Sequence, residues 1–138
     1  MSIKERVLIL CTGNSARSQM AEGYLRHIAG DRFAVESAGT IASFVRPQAI
    51  AVMAELEIDI SNHTSKSLDQ FRSQSFDHVI TVCDNAGQNC PIFPGKANRT
   101  HWSFDDPAEA TGSETDLHEL FRRVRDKIAA KLDEFVSN

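Results

Sequence analysis

The sequence predicts an α/β fold: a single-domain, three-layer sandwich with a four-stranded parallel sheet and helices on both faces. Three observations predict it. Short apolar runs alternate with helix-period segments from one end of the chain to the other. The residues best suited to chemistry fall just after the apolar runs, where parallel sheets hold their ligands. The 138 residues contain no internal repeat, no low-complexity tract and no linker long enough to divide them, so one domain spans 1–138.

The elements follow in order. A first strand fits Arg6–Leu10, and a helix fits Arg17–Ala29, ended by Gly30. A second strand fits Phe33–Ser37, with Gly39 ending it. Arg46-Pro47 opens a helix whose apolar residues Ile50, Met53 and Leu56 recur at three-residue spacing. Leu68–Phe71 reads as a short helical piece, and Asp77–Val82 as the third strand, leading straight into Cys83. A polar stretch with Gly and Pro runs from Asp84 to Ala97, and a short fourth strand fits Arg99–Trp102. The last helix is the clearest: Leu117, Leu120, Phe121, Val124, Ile128, Leu132, Phe135 and Val136 form one apolar stripe.

Composition narrows the function classes. Nineteen acidic against fifteen Lys and Arg residues give a net charge of −4, which argues against nucleic acid as the main partner. No apolar run is long enough to cross a bilayer, so no membrane association is expected. The first residues, Met1-Ser2-Ile3-Lys4-Glu5-Arg6, lack a signal-peptide pattern. The expectation is a cytoplasmic protein, whose cysteines stay reduced unless they do redox work.

The most specific chemical signal is Cys11-Thr12-Gly13-Asn14-Ser15-Ala16-Arg17-Ser18, lying between the first strand and the first helix. Five residues between cysteine and arginine let the backbone wrap into a cradle whose N–H groups point inward. The following helix adds the positive end of its dipole. Arg17 closes the ring with a planar fork suited to bidentate oxyanion binding. Thr12, Gly13, Asn14, Ser15, Ala16 and Arg17 are therefore the expected oxyanion-binding residues, and Cys11, in that positive field, the expected nucleophile. An inert structural cysteine at a strand end would not need such a loop.

Two further groups fall at the same sheet edge. In His101-Trp102-Ser103-Phe104-Asp105-Asp106-Pro107, a carboxylic acid can protonate a leaving oxygen. Pro107 restricts Asp106 to an extended backbone. Asp105 and Asp106 read equally as solvated turn residues, or as the cap of a helix starting at Pro107. Cys83 and Cys90 are the second group. A helix between them would set them about 10 Å apart along its axis, whereas a disulfide needs Cα atoms within about 7 Å. They can bond only across a loop, which Asn85, Gly87, Asn89 and Pro91 allow. They form either a redox relay with a conformational step or two unrelated thiols. A metal site built from Cys83, Cys90 and His101 has no recognisable ligand spacing, so no metal is assigned.

These motifs carry a resemblance. The chain resembles the thioredoxin-coupled arsenate reductases, which share the low-molecular-weight protein tyrosine phosphatase fold. The matching stretches are Cys11 to Glu22, Glu36-Ser37-Ala38-Gly39, Ile60-Ser61-Asn62-His63-Thr64-Ser65, the Cys83/Cys90 pair, and His101 to Pro107. The cysteine pair and the His101–Pro107 block separate reductase from phosphatase. Phosphatases of this fold typically place tyrosines after the acid and proline, and here Ala108 and Glu109 follow.

The resemblance implies a mechanism. Cys11 attacks arsenate held by the loop amides and Arg17, Ser18 steadies the thiolate, and Asp106 protonates the leaving oxygen. Cys83 then attacks Cys11 and releases arsenite. Cys90 attacks Cys83, and thioredoxin reduces the resulting disulfide. No cofactor is bound; thioredoxin is the external electron donor, and a monomer is expected. The alternatives are a phosphatase acting on phosphotyrosine or aryl phosphates, and a non-catalytic redox sensor.

Two positions depart from relatives. Ala16 stands where some carry an additional cysteine outside the relay. Lys66 stands where some supply a carboxylate to a potassium ion, together with residues matching Asn14, Glu22 and Ser37. The Lys66 ammonium is expected to pair with Glu22 and replace the ion. His27, His63, His78 and His118 are read as surface or capping residues, and Trp102 as packing.

Overall fold

The computed structural model describes residues 4–82, 93, 95–104, 107 and 110–137. Among these residues, four strands and three α-helices follow one another as β1 (Glu5–Cys11), α1 (Arg17–Ala29), β2 (Phe33–Gly39), α2 (Pro47–Ala54), β3 (His78–Thr81), β4 (Asn98–His101) and α3 (Glu114–Ser137). A 3-10 helix, Leu68–Phe71, precedes β3. The strands form one parallel sheet in the order β2-β1-β3-β4.

Alternation along β1 explains the layers. Val7, Ile9 and Cys11 face one side, where they pack with Met20, Leu25, Met53, Phe121, Ile128 and Leu132 from α1, α2 and α3. Leu8 and Leu10 face the other side, against Leu68, Phe71, Phe76, Val79 and Phe93. All five residues from Val7 to Cys11 are buried, as a central parallel strand requires. Among the described residues, the α-helices cover one face and the 3-10 helix covers the other.

Element ends differ from expectation by one or two residues, each for a local reason. β2 runs on to Gly39, which pairs with Cys11 and donates its N–H to the Lys66 carbonyl. α2 stops at Ala54 rather than Leu56, because the Met53 carbonyl takes the N–H groups of both Leu56 and Ile58 and Glu57 turns left-handed at φ 62°. β3 is shorter than Asp77–Val82, although the Val82 N–H still bonds the Leu10 carbonyl at 2.9 Å. β4 lies one residue earlier than Arg99–Trp102; the Trp102 N–H still reaches the Thr81 carbonyl at 2.8 Å.

α3 is capped by Ser113, whose hydroxyl accepts the Asp116 N–H at 3.1 Å. Its stripe buries Phe121, Val124, Ile128 and Leu132. One charged residue joins that stripe. Arg125 is buried, and its guanidinium donates to the Val52 carbonyl at 2.7 Å and to Glu55 at 2.8 Å. Arg122 holds the same carboxylate with a fork at 2.9 and 2.7 Å, so Glu55 latches α2 to α3.

The Arg122 hydrogen bond, helped by Arg125, holds the Glu55 carboxyl down at about 2, below the usual 4.5. A depressed carboxyl stabilises the fold above its unfolded value and loses that contribution as pH falls through the folded one. Glu55→Gln is expected to cost about 1 kcal/mol at neutral pH, discounted for the pair's exposure. The deficit should close as pH drops from above 4.5 toward about 2. Denaturant melts across that range test it; an equal deficit throughout would contradict the latch.

Candidate active site

Sheet order fixes where the site lies. β1 pairs with β2 on one side and β3 on the other, so the chain leaves the centre in opposite directions and opens a crevice at the carboxyl end of β1. Cys11, the last residue of β1, sits there and is buried.

The loop after it turns its carbonyls outward, each to a partner. The Cys11 and Thr12 carbonyls accept the N–H groups of Thr40 and Ile41 at 3.3 and 3.1 Å. The Gly13 carbonyl accepts the Ser43 and Ser65 hydroxyls at 2.8 and 3.1 Å. The Asn14 carbonyl takes the Gln19 amide at 3.1 Å. Those of Ser15 and Ala16 take the N–H groups of Arg46 and Met20, both at 2.9 Å. In a planar trans peptide the N–H points opposite the carbonyl. Six outward carbonyls therefore direct the N–H groups of residues 12 to 17 toward the space over the Cys11 sulfur. One closes on the sulfur itself: the Asn14 N–H lies 3.2 Å from Cys11 Sγ. The Thr12 hydroxyl is buried without a hydrogen-bond partner among the described residues. A buried donor of that kind costs about 1–3 kcal/mol until a ligand takes it.

The second support of the sulfur is Ser18, whose Oγ lies 2.8 Å from Cys11 Sγ. Asn14 decides which way that hydroxyl points. The Asn14 carboxamide oxygen accepts the Lys66 N–H at 2.7 Å and the Gln19 amide at 2.9 Å, so its Nδ2 must face the other way. That Nδ2 donates to Ser18 Oγ at 2.7 Å and to Ser37 Oγ at 3.0 Å. With its lone pair taken, the Ser18 hydroxyl is free to donate its proton to the sulfur. Asn14 can serve this way because its backbone sits at φ 48°, a left-handed conformation that asparagine tolerates better than most residues.

Behind Asn14 lies a buried charge cluster. Ser37 donates to Glu22, which pairs with Arg26 at 2.7 Å, with His63 at 3.8 Å and with the Lys66 ammonium at 3.9 Å. Burial pushes the His63 imidazole down, against the upward pull of Glu22. Neutral His63 donates from Nδ1 to the Gln19 carboxamide oxygen at 3.0 Å, which fixes the Gln19 amide toward Asn14. His63 therefore has a bonding role in the loop's support rather than the surface or capping role its sequence suggested. Lys66 does pair with Glu22, as the sequence suggested.

Arg17 is also buried, 2 % exposed, and one of its guanidinium nitrogens donates to the Phe104 carbonyl at 3.2 Å. That bond ties the loop to the segment leading to Asp105-Asp106. Cys11, Thr12, Gly13, Asn14, Ser15, Ala16, Arg17 and Ser18 are thus brought together at one strand end. Cys83, Cys90 and Asp106 lie outside the described residues. Sequence reasoning missed Gln19, Ser43, Ser65 and the strap 40–46, which supplies four of the carbonyl partners. The available signal was Gly39: a Cβ there would stand 2.6 Å from the Thr12 carbonyl oxygen and 2.8 Å from the Asn14 nitrogen, so the strap must leave β2 through glycine.

Known proteins are similar to this chain in sequence and in fold. Residues 6–138 match the low molecular weight phosphotyrosine protein phosphatase family. An arsenate reductase of Staphylococcus saprophyticus is 46% identical over 135 residues, covering 98% of both chains. A solved arsenate reductase in its phosphate-binding state superposes with a TM-score of 0.79 at 33% identity, covering 96% of this chain and 97% of that one. A thioredoxin-dependent arsenate reductase of Corynebacterium glutamicum gives a TM-score of 0.74 at 28% identity, covering 99% of this chain and 62% of that one.

Two outcomes follow from the packing of the loop. Gly39→Ala forces backbone apart, so it should lower stability by about 1–3 kcal/mol and weaken phosphate protection of Cys11 against alkylation; an unchanged melt and full protection would contradict the close approach. Because the Lys66 ammonium already pairs with Glu22, melting temperature and turnover should be the same in potassium and sodium at equal ionic strength. A clear rise in potassium would show that Lys66 does not replace an ion.

Proposed function

The chain belongs to the low molecular weight phosphotyrosine protein phosphatase family and, within it, to the arsenate reductases, and from that premise we propose a three-cysteine relay regenerated by thioredoxin. The observation that carries the proposal is the Cys11 sulfur, held by the Ser18 hydroxyl and the Asn14 N–H beneath a ring of outward carbonyls. This arrangement favours an anionic sulfur and a tetrahedral oxyanion above it.

The steps balance as follows. The Cys11 thiolate attacks the arsenic(V) of arsenate, and one oxygen leaves as water after protonation, a role assigned to Asp106. Loop amides and the Arg17 guanidinium hold the remaining oxygens. The Cys83 thiolate attacks the Cys11 sulfur, and the sulfur–arsenic electron pair stays on arsenic, which leaves as arsenite. The Cys11–Cys83 disulfide then exchanges with Cys90 and frees Cys11. A thioredoxin dithiol reduces the Cys83–Cys90 bond in two exchange steps. The chain's own thiols carry both electrons, so no bound cofactor enters. The roles of Cys83, Cys90 and Asp106 rest on the family resemblance, and that of thioredoxin also on the Corynebacterium glutamicum relative. We propose that the enzyme works in the cytoplasm as a monomer.

Phosphate is nearly isosteric with arsenate, so slow hydrolysis of aryl phosphates at Cys11 is expected alongside reduction. The pair separates the two activities, because hydrolysis needs neither Cys83 nor Cys90. Arsenate-dependent NADPH oxidation with thioredoxin and thioredoxin reductase should be robust in wild type and lost in Cys90→Ser, with p-nitrophenyl phosphate hydrolysed in both. Absence of arsenate turnover in wild type, with hydrolysis retained, would make the protein a phosphatase.

A further inference from the structure

We propose that Ser43 and Ser65 are positioning residues for the nucleophile: together they fix the Gly13–Asn14 peptide so that its N–H faces the Cys11 sulfur. The relevant atoms belong to one rigid plane. The Gly13 carbonyl and the Asn14 N–H are the two ends of a single peptide and point in opposite directions. Ser43 Oγ at 2.8 Å and Ser65 Oγ at 3.1 Å hold the carbonyl end. The other end then meets Cys11 Sγ at 3.2 Å. The two serines are themselves joined, since the Ser43 N–H donates to Ser65 Oγ at 2.8 Å. With that lone pair used, the Ser65 hydroxyl proton is directed at Gly13.

This peptide needs such anchors more than its neighbours do. The Cys11, Thr12, Ser15 and Ala16 carbonyls are held by backbone N–H groups, whereas that of Gly13 is held by two hydroxyls. Gly13 lacks a Cβ and can rotate its peptide at little cost. Asn14 sits at φ 48°, away from the basins most residues prefer. Rotation of this one peptide would turn a carbonyl dipole toward the sulfur in place of the N–H. Thiolate and bound oxyanion would both meet a negative end where they now meet a positive one. Ser43 comes from the exposed strap and Ser65 from the segment before the 3-10 helix. Two parts of the chain distant in sequence thus hold one peptide of the loop.

The inference rests on Cys11 acting as a thiolate, and its test reads the sulfur without arsenate or thioredoxin. Failure here therefore leaves the arsenate reading standing, and the reverse also holds. In a Cys83→Ser/Cys90→Ser background, Cys11 is the sole thiol. There the pH midpoint of ultraviolet thiolate absorbance and the iodoacetamide alkylation rate would be measured for Ser43→Ala, Ser65→Ala, both together, and Ser65→Thr. The double variant is expected to move the midpoint upward by about one unit, an about tenfold loss of thiolate at acid pH. Each single variant should move it part of the way, and Ser65→Thr should restore it. Circular dichroism melts run alongside. A folded double variant with an unchanged midpoint and alkylation rate would overturn the assignment, as would a drop in melting temperature alone. Should the double variant not fold, the single variants decide: unchanged midpoints in both overturn it.

Discussion

Turning consecutive backbone carbonyls away from one point is the constraint on which the rest of this structure depends. A carbonyl has to be satisfied once it leaves a strand, and most sequences satisfy it by continuing into regular structure. Between Cys11 and Ala16 the carbonyls are instead distributed to the strap 40–46, to Gln19 and Ser65, and to the first turn of α1. The N–H groups are left on the inner side, where they act as fixed positive dipoles that need no rearrangement when charge arrives. The sheet order explains why such a loop can exist. Beside β1, where the chain leaves in both directions, there is room for the strap after β2 to fold over the loop after β1.

A single side chain joins this backbone pattern to the charges behind it. The Asn14 carboxamide is oriented by two donors, Lys66 N–H and Gln19, and passes that orientation to Ser18 and Ser37. Ser18 meets the sulfur, and Ser37 meets Glu22 with its cluster of Arg26, His63 and Lys66. Arg26 and Lys66 therefore give the buried carboxylate two positive partners, which is the usual condition for burying one at all. Interior charge and the Cys11 thiol are parts of one bonded system rather than two features that happen to lie close together.

The legible and illegible parts of the molecule divide along physical lines. Strands such as Arg6–Leu10 and the stripe of α3 were readable because burial imposes a period on apolar residues. The Cys11–Ser18 loop was readable because few spacings let a backbone encircle an anion. Element ends were missed by a residue or two, because a single carbonyl such as that of Met53 decides them and leaves no periodic mark. Ser43, Ser65 and Gln19 were not legible as part of the site. Their partners are 30, 52 and up to 45 residues away, and short polar residues in loops look alike until tertiary structure pairs them. Arg125 was hidden for a related reason: a cation on an apolar stripe reads as solvent-facing, and only the Val52 carbonyl and Glu55 explain its burial.

Arsenate reduction on this scaffold asks little of the loop beyond holding an oxyanion over the Cys11 sulfur. In the proposed relay the sequence-distant thiols supply the electrons, which a phosphatase would not need. What the loop must do, it does through Asn14. The most direct measurement is calorimetric titration of phosphate into the reduced protein, wild type against Asn14→Gly. Glycine keeps the left-handed backbone and removes only the carboxamide. The account predicts affinity weaker by about tenfold or more, the size of an effect expected when a buried hydrogen-bond partner is lost, with cooperative melting retained. Phosphate binding as tight as in wild type would contradict it.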